Sequence, residues 1–272
     1  MATHGFKKND IKKPMLIAQI SDTHITTLDD ADAKFPERVK NLEAFVRHIN
    51  ALDEKPDLVM HTGDVTHGGK PEYYATVKNV IKDLSVPVYF ARGNRDISEN
   101  LVDALKDFGG GNIVDGFLIY SIDGNPVRLI AMDTHNRESN IGTTCSVRLG
   151  ILDGLLKEQP DTPTALFMHH PPFEVPTSKY PFQFDDQVLA DAFLDLVSEH
   201  KQIVHLFCGH MHRHFMVKLE TCSASCVPSL PVDNRLGEFA DEMNGKPLYQ
   251  LHRWNAKSKS FETELCAVDG GN

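Results

Sequence analysis

The chain has 272 residues, 41% of them hydrophobic and 24% charged, with a formal net charge of −10. That mix fits a soluble protein with a sizeable core, no apolar run approaches the roughly 18 residues that cross a bilayer, and stable nucleic-acid binding, which needs clustered Lys and Arg, is not expected. Five cysteines, an odd number, exclude a disulfide framework as the organising principle.

The opening MATHGFKKNDIKKPMLIAQI runs directly into a first strand rather than a leader, and a cytoplasmic location is expected. PMLIAQI (14–20) reads as that strand and ends in Ser21-Asp22-Thr23-His24. PERVKNLEAFVRHINAL (36–52) sets Val39, Leu42, Val46 and Ile49 at helical spacing, with Pro36 in the first turn. DLVMHTGD (57–64) is a second strand, PEYYATVKNVIKDL (71–84) a second Pro-initiated helix, and VPVYFA (86–91) a third strand. Strand and helix alternating in this way predict a mostly parallel sheet with covering helices.

FLIYSIDGNPVRLIAMDT (117–134) reads as a hairpin about Asp123-Gly124-Asn125-Pro126. A short helix around 148–158 and the strand TALFM (164–168) follow. The segment 185–200 is an amphipathic helix with Val188, Phe193, Leu196 and Val197 inward, and IVHLFC (203–208) is a buried strand. HFMVKLE, PLYQLHRW and SFETELCAV are three further strand candidates with no helix between them, which predicts a second, more antiparallel sheet. No repeat or linker divides the chain, so one domain over 1–272 is expected.

Five polar clusters each stand immediately after a predicted strand: Asp22/His24, Asp64, Asn94, His169/His170 and His210/His212. Ligands of open α/β sheets sit beyond the carboxyl ends of strands, so residues this far apart in sequence can converge. On an extended backbone the i, i+2 pairs Asp22/His24 and His210/His212 would each point to one side. Imidazole, carboxylate and amide oxygen suit borderline and hard divalent metals, and the lack of thiolate argues against a structural Cys-type zinc. A carboxylate such as Asp64 can bridge two cations, and Asn94 offers an oxygen without adding charge.

SDTH, TGD, GNRD, MHHPP and GHMH, in this order, resemble the five motifs of the calcineurin-like metallophosphoesterases. Within that superfamily the chain is most similar to bacterial class III cyclic nucleotide phosphodiesterases and their glycerophosphodiesterase relatives. The likeness covers about residues 15–225. It implies a four-layer αββα sandwich with mixed sheets and two divalent metal ions, with Fe, Mn, Zn and Co all compatible. One metal would take Asp22, His24, Asp64 and His212, and the other Asp64, Asn94, His169 and His210. His169 is preferred to His170 because the family's ligand lies two residues before the loop proline; His170 would then back the ligands or face the substrate. Attack by a metal-bridging hydroxide on a cyclic nucleotide or another small phosphodiester is the implied reaction. The C-terminal part, 226–272, is expected to complete the second sheet, or to form a cap or a homodimer contact.

Arg95 departs from the family pattern, in which His follows the metal-binding Asn. A guanidinium keeps its proton at neutral pH and is a poor general acid, but it is a good fork for phosphate oxygens. Arg95 is therefore expected to grip phosphate, with a metal-bound water or one of His67, His135 and His170 protonating the leaving group; pairing of Arg95 with Asp96 is the alternative. A non-catalytic metal- or phosphate-binding protein and a phosphonate monoester hydrolase are the rival readings. His67 is expected to line the pocket and His61 to be packed, while His4, His48, His200 and His252 fit surface or helix positions. Phe173, Tyr180, Phe182 and Phe184 form either a lid or base-stacking wall, or else core or a subunit contact.

Overall fold

The computed structural model describes residues 14–27, 34–109 and 111–268; His4 lies outside them. The chain runs β1 (Leu16–Ile20), α1 (Phe35–Ala51), β2 (Leu58–His61), α2 (Pro71–Ile81), β3 (Val88–Phe90), α3 (Ser98–Leu105), β4 (Ile113–Val114), β5 (Phe117–Leu118), β6 (Tyr120–Ile122) and β7 (Arg128–Met132). It continues with α4 (Ser146–Glu158), β8 (Thr164–Met168), α5 (Gln187–Glu199), β9 (Ile203–Cys208), β10 (Phe215–Lys218), β11 (Ser223–Cys226), β12 (Leu248–Asn255) and β13 (Ser260–Ala267). The proline-initiated helices form as the sequence predicts, with Pro at N1 or N2 of both α1 and α2, where its missing N–H has no intrahelical partner to lose. α5 is capped instead by Asp186, whose carboxylate accepts the Val188 N–H at 2.7 Å.

Two mixed sheets pack face to face. The first has the order β13-β12-β1-β2-β3, and the second β10-β11-β9-β8-β7-β6. In the first, β1, β2 and β3 are parallel; in the second, β7, β8, β9 and β11 are parallel, with antiparallel β6 and β10 at the edges. Strand periodicity distributes the core. Ala18 and Ile20 of β1 pack with Phe45 of α1, Tyr74 of α2 and Leu101 of α3 on one outer face. Met15 and Ile17 face the other sheet, meeting Phe167, Phe207, Trp254 and Phe261. On the far side, Leu166 and Leu206 meet Leu152 of α4 and Phe193 of α5. The result is the expected αββα sandwich.

Three expectations change. The C-terminal hairpin β12–β13 does not complete the second sheet: β12 pairs antiparallel with β1, Leu16 opposite Arg253, and extends the first. Its backbone pairing covers the otherwise open edge of β1, with Tyr249 buried on the outer face beside Phe45 and Trp254 buried between the sheets. Val188 is 71% exposed, because it stands in the first turn of α5, and Ala190, Phe193 and Val197 form the buried stripe instead. His252 is fully buried between the sheets rather than at the surface. His48 and His200, for which sequence suggested no partner, hydrogen-bond Tyr249 and Asp153. Among the described residues, no helix is long and apolar enough to cross a membrane.

Candidate metal centre

Six parallel strands, three from each sheet, end on one rim. β1 delivers Asp22 and His24, β2 Asp64, β3 Asn94 and Arg95, β7 Thr134 and His135, β8 His169 and His170, and β9 His210 and His212. The i, i+2 pairs do not converge through extended backbone. Asp22, His24, Asp64, His210 and His212 all have positive φ, between 45° and 63°, a left-handed conformation that non-glycine residues rarely adopt. Each strand thus breaks into a tight turn that throws its side chain inward. Gly63, at φ 94°, and Gly93 allow the turns to touch: a Cβ on Gly63 would lie 2.8 Å from His169 Nδ1, and one on Gly93 would lie 2.1 Å from the Asp64 amide nitrogen.

The side chains gather in three overlapping sets. Asp22, His24 and His212 bring donor atoms within 4.8 Å of one another, as do Asp22, Asp64 and His169, and His169, His170 and His210. Asp64 Oδ2 lies 3.6 Å from both His24 Nε2 and His169 Nε2, and its Oδ1 accepts the Arg95 backbone N–H at 2.7 Å. His169 Nε2 is also 3.2 Å from Asn94 Oδ1 and 3.3 Å from His210 Nδ1. The His210 backbone N–H donates to Asp22 Oδ2 at 3.0 Å, joining the two sheets through a site residue.

Three imidazoles are oriented from behind. His169 Nδ1 faces the Thr62 carbonyl at 2.7 Å, His212 Nδ1 the Asn234 carbonyl at 2.7 Å, and His210 Nε2 the Gln183 Oε1 at 3.2 Å. The Gln183 amide nitrogen is spent on the Tyr180 and Phe182 carbonyls, so its oxygen accepts from His210. Each ring therefore gives its N–H to an oxygen and turns its other nitrogen inward, His169 and His212 toward the carboxylates and His210 toward His169 Nε2, the arrangement expected of metal-binding histidines. His212 Nε2 then meets Asp22 Oδ1, acceptor to acceptor, at 3.0 Å. Asp22 Oδ1 and both His24 nitrogens are buried without a hydrogen bond, a costly state for a carboxylate oxygen and one that a cation relieves. Among the described residues, the donor set fits divalent metal.

The electrostatics agree. Burial would raise the Asp22 carboxyl, but His212, His169 and His24 outweigh it and hold the group well below the carboxylate range. Asp64, raised by burial but lowered by His169 and His24, ends at about 2. Burial lowers His169, yet Asp64 and Asp22 push it up to about 9, so the surroundings favour positive charge at that spot. Burial brings His24 down to about 4 and His210 to about 3.

Other expected contributors separate. His170 is fully buried, with Nδ1 2.9 Å from Thr134 Oγ1 and Nε2 3.1 Å from the Asn140 carbonyl. It backs the His169 and His210 rings at 4.7 and 4.5 Å; as a substrate contact or proton donor it is corrected, because both nitrogens are committed. His67 is exposed, its ring 5.6 Å from that of His24. His61 is packed, with Nε2 2.9 Å from Thr23 Oγ1. Arg95 is exposed, and its guanidinium has no partner among the described residues. Asp96 does not pair with it: that carboxylate is buried and accepts from Val65, Thr66, Gly93 and Tyr74. Phe173 and Phe184 belong to the core, whereas Tyr180 is 63% exposed. Sequence reasoning missed Gln183, Asn234 and Thr134; only Thr134, following the apolar run of β7, carried the strand-end signal.

A rim of carboxylates and back-held imidazoles over two facing mixed sheets defines a metal-dependent hydrolase fold. Residues 15–214 match the calcineurin-like phosphoesterase family, and the chain belongs to it. It is 32% identical over 246 residues to a probable glycerophosphodiester phosphodiesterase, GpdQ, of Arcobacter nitrofigilis, covering 88% of this chain and 89% of that protein. It is 31% identical to a probable cyclic nucleotide phosphodiesterase of Synechococcus, covering 90% and 94% respectively. A dimetal phosphatase from Danio rerio shares the fold, with a TM-score of 0.62 at 12% identity over 95% of this chain and 100% of that one.

Proposed function

We propose that the protein is a dinuclear metallophosphoesterase that hydrolyses a small phosphodiester, in the class that includes cyclic nucleotides and glycerophosphodiesters. The observation that carries this reading is the overlapping donor sets at one rim with buried, unpartnered carboxylate and imidazole atoms among them. Asp22, His24, Asp64 and His212 would hold one divalent cation and Asp64, Asn94, His169 and His210 the other. When bound, the two cations would supply the charge that activates water at neutral pH and neutralises the phosphoryl oxygens. Relatives named for both diester types stand at nearly equal identity, which supports the class and leaves the two diesters as competing substrates within it.

The chain's own groups divide the remaining work. Arg95, exposed beside Asn94 and without a partner, grips a phosphoryl oxygen and stabilises charge there, but it does not give up a proton. His135 is held down to about 4, by burial first and then by Arg92, and is a poor acid at neutral pH. With His170 committed as well, His67 at the rim is the histidine left to protonate the departing oxygen, bound water being the other donor.

The test is hydrolysis of bis(p-nitrophenyl) phosphate against p-nitrophenyl phosphate by metal-stripped protein with Mn²⁺ titrated back. Diester turnover that rises to a plateau at about two metals per chain supports the reading. Metal uptake with turnover of neither ester contradicts it and leaves a metal- and phosphate-binding protein.

A further inference from the structure

The interface between the sheets is mostly apolar; Gln250 of β12 crosses it to the Cys226 carbonyl on β11 at 3.1 Å, and a second chain of side chains crosses it directly beneath the rim. Gln19 of β1 is fully buried beside Ile17, Met60 and Phe207, where an amide costs free energy unless every polar atom is bonded. It is. Its nitrogen donates to Thr62 Oγ1 on the β2 end and to the Cys208 carbonyl on β9, each at 3.0 Å. Its oxygen lies 3.0 Å from His252 Nε2 on β12, whose Nδ1 meets Thr263 Oγ1 on β13 at 2.8 Å. Thr62 Oγ1 in turn faces the Ile20 carbonyl at 3.3 Å. The Cys208 carbonyl has no hydrogen to give, so the orientation of the Gln19 amide is fixed, and both of its protons are used.

The partners of this amide are the last fixed points before the metal centre. Thr62 stands two residues before Asp64, and its carbonyl oxygen also holds His169 Nδ1 at 2.7 Å. Cys208 stands two residues before His210 and four before His212. Thr62, at the end of β2 in the first sheet, therefore leads to Asp64 and holds the His169 ring, while Cys208, at the end of β9 in the second sheet, leads to His210 and His212. An apolar side chain of equal volume would fill the space between them without fixing their distance, and functional donor atoms must be held within about 0.5 Å.

We propose that Gln19 is a positioning residue for the metal centre, its amide locking the β2 end that leads to Asp64 in one sheet to the β9 end that leads to His210 and His212 in the other. The inference rests on the metal-centre reading given above. Gln19→Met keeps the volume and removes all three bonds, the one to His252 included. The measurement is Mn²⁺ affinity of the metal-stripped protein by calorimetry, taken well below the melting temperature of each metal-free variant. Gln19→Met is expected to bind at least about 10-fold more weakly, as loss of a partner behind the ligands does. Thr62→Val, which keeps the Gln19–Cys208 bond, is expected to lose several-fold and serves if the first variant does not fold. A lower melting temperature with unchanged Mn²⁺ affinity in the folded variants would mean a purely structural amide and overturns the inference alone. Wild-type protein that takes up no Mn²⁺ overturns the metal-centre reading, and the inference with it.

Discussion

At Arg95 a single side chain decides how the reaction would be shared out. It stands beside Asn94 with its backbone N–H on Asp64 Oδ1 at 2.7 Å, so its position follows the carboxylate between the two donor sets while its guanidinium remains free for substrate. A permanent cation stabilises charge on phosphoryl oxygens but gives the departing oxygen no proton, which leaves only the solvent-exposed His67 or bound water to supply one, and that incompletely. Rates across a series of aryl phosphodiesters should therefore fall steeply as the leaving-group pKa rises. In Arg95→His the slope should flatten, because an imidazolium can donate; identical slopes would refute this role. Arg95→Ala should lower kcat/KM about 10²-fold, the usual cost of removing one stabilising donor. At this scale the sequence was informative: residue types and their order named the centre, and Arg95 stood out against the family pattern. It was silent on Gln183 and Asn234, whose contacts depend on loops returning from 27 and 22 residues away.

The strand ends explain why the motifs carry glycine. Gly93 lies against the Asp64 turn so closely that a Cβ would approach Asp64 Oδ1 to 2.2 Å. Gly93→Ala should cost about 1–3 kcal/mol through overpacking and should also weaken Mn²⁺ uptake, because the displaced group is the carboxylate itself. Gly154→Ala on α4 is the contrast: nothing lies within 4 Å of its Cβ position, and removing a mid-helix glycine should stabilise by about 0.5–1 kcal/mol. Thermal melts and calorimetry on the two variants read both effects; a Gly93→Ala protein with normal metal affinity would contradict the account. Elements with strong local signals, such as β8, β9 and the Pro-initiated helices, were legible in the sequence. α3 is eight residues long and buries only Leu101 and Leu105 among its apolar residues, and β11 is SASC, so neither has a periodic pattern to detect. The docking of β12–β13 on β1 is a pairing across more than 230 residues, set by tertiary packing rather than by local preference.

Across the whole molecule, the two sheets contribute comparable shares of one rim, so metal bound there would act as a cross-link in the folded state only. Occupancy at a hundred times Kd stabilises by about 2.7 kcal/mol per site, which in a chain of this size corresponds to roughly 5–10 °C in Tm. Chelation should lower the melting temperature by about that amount for each site emptied and Mn²⁺ should restore it; a Tm indifferent to both would argue against sites at the sheet junction. The backbone there has a further consequence. Five of the seven non-glycine positive-φ residues among those described are Asp22, His24, Asp64, His210 and His212, and each such conformation costs about 1–3 kcal/mol. Glycine would sit more comfortably at every one of them. Thermostability and chemistry therefore pull in opposite directions at these positions, and a lineage selected for heat resistance alone would erode its donor atoms first while the sandwich around them grew sturdier.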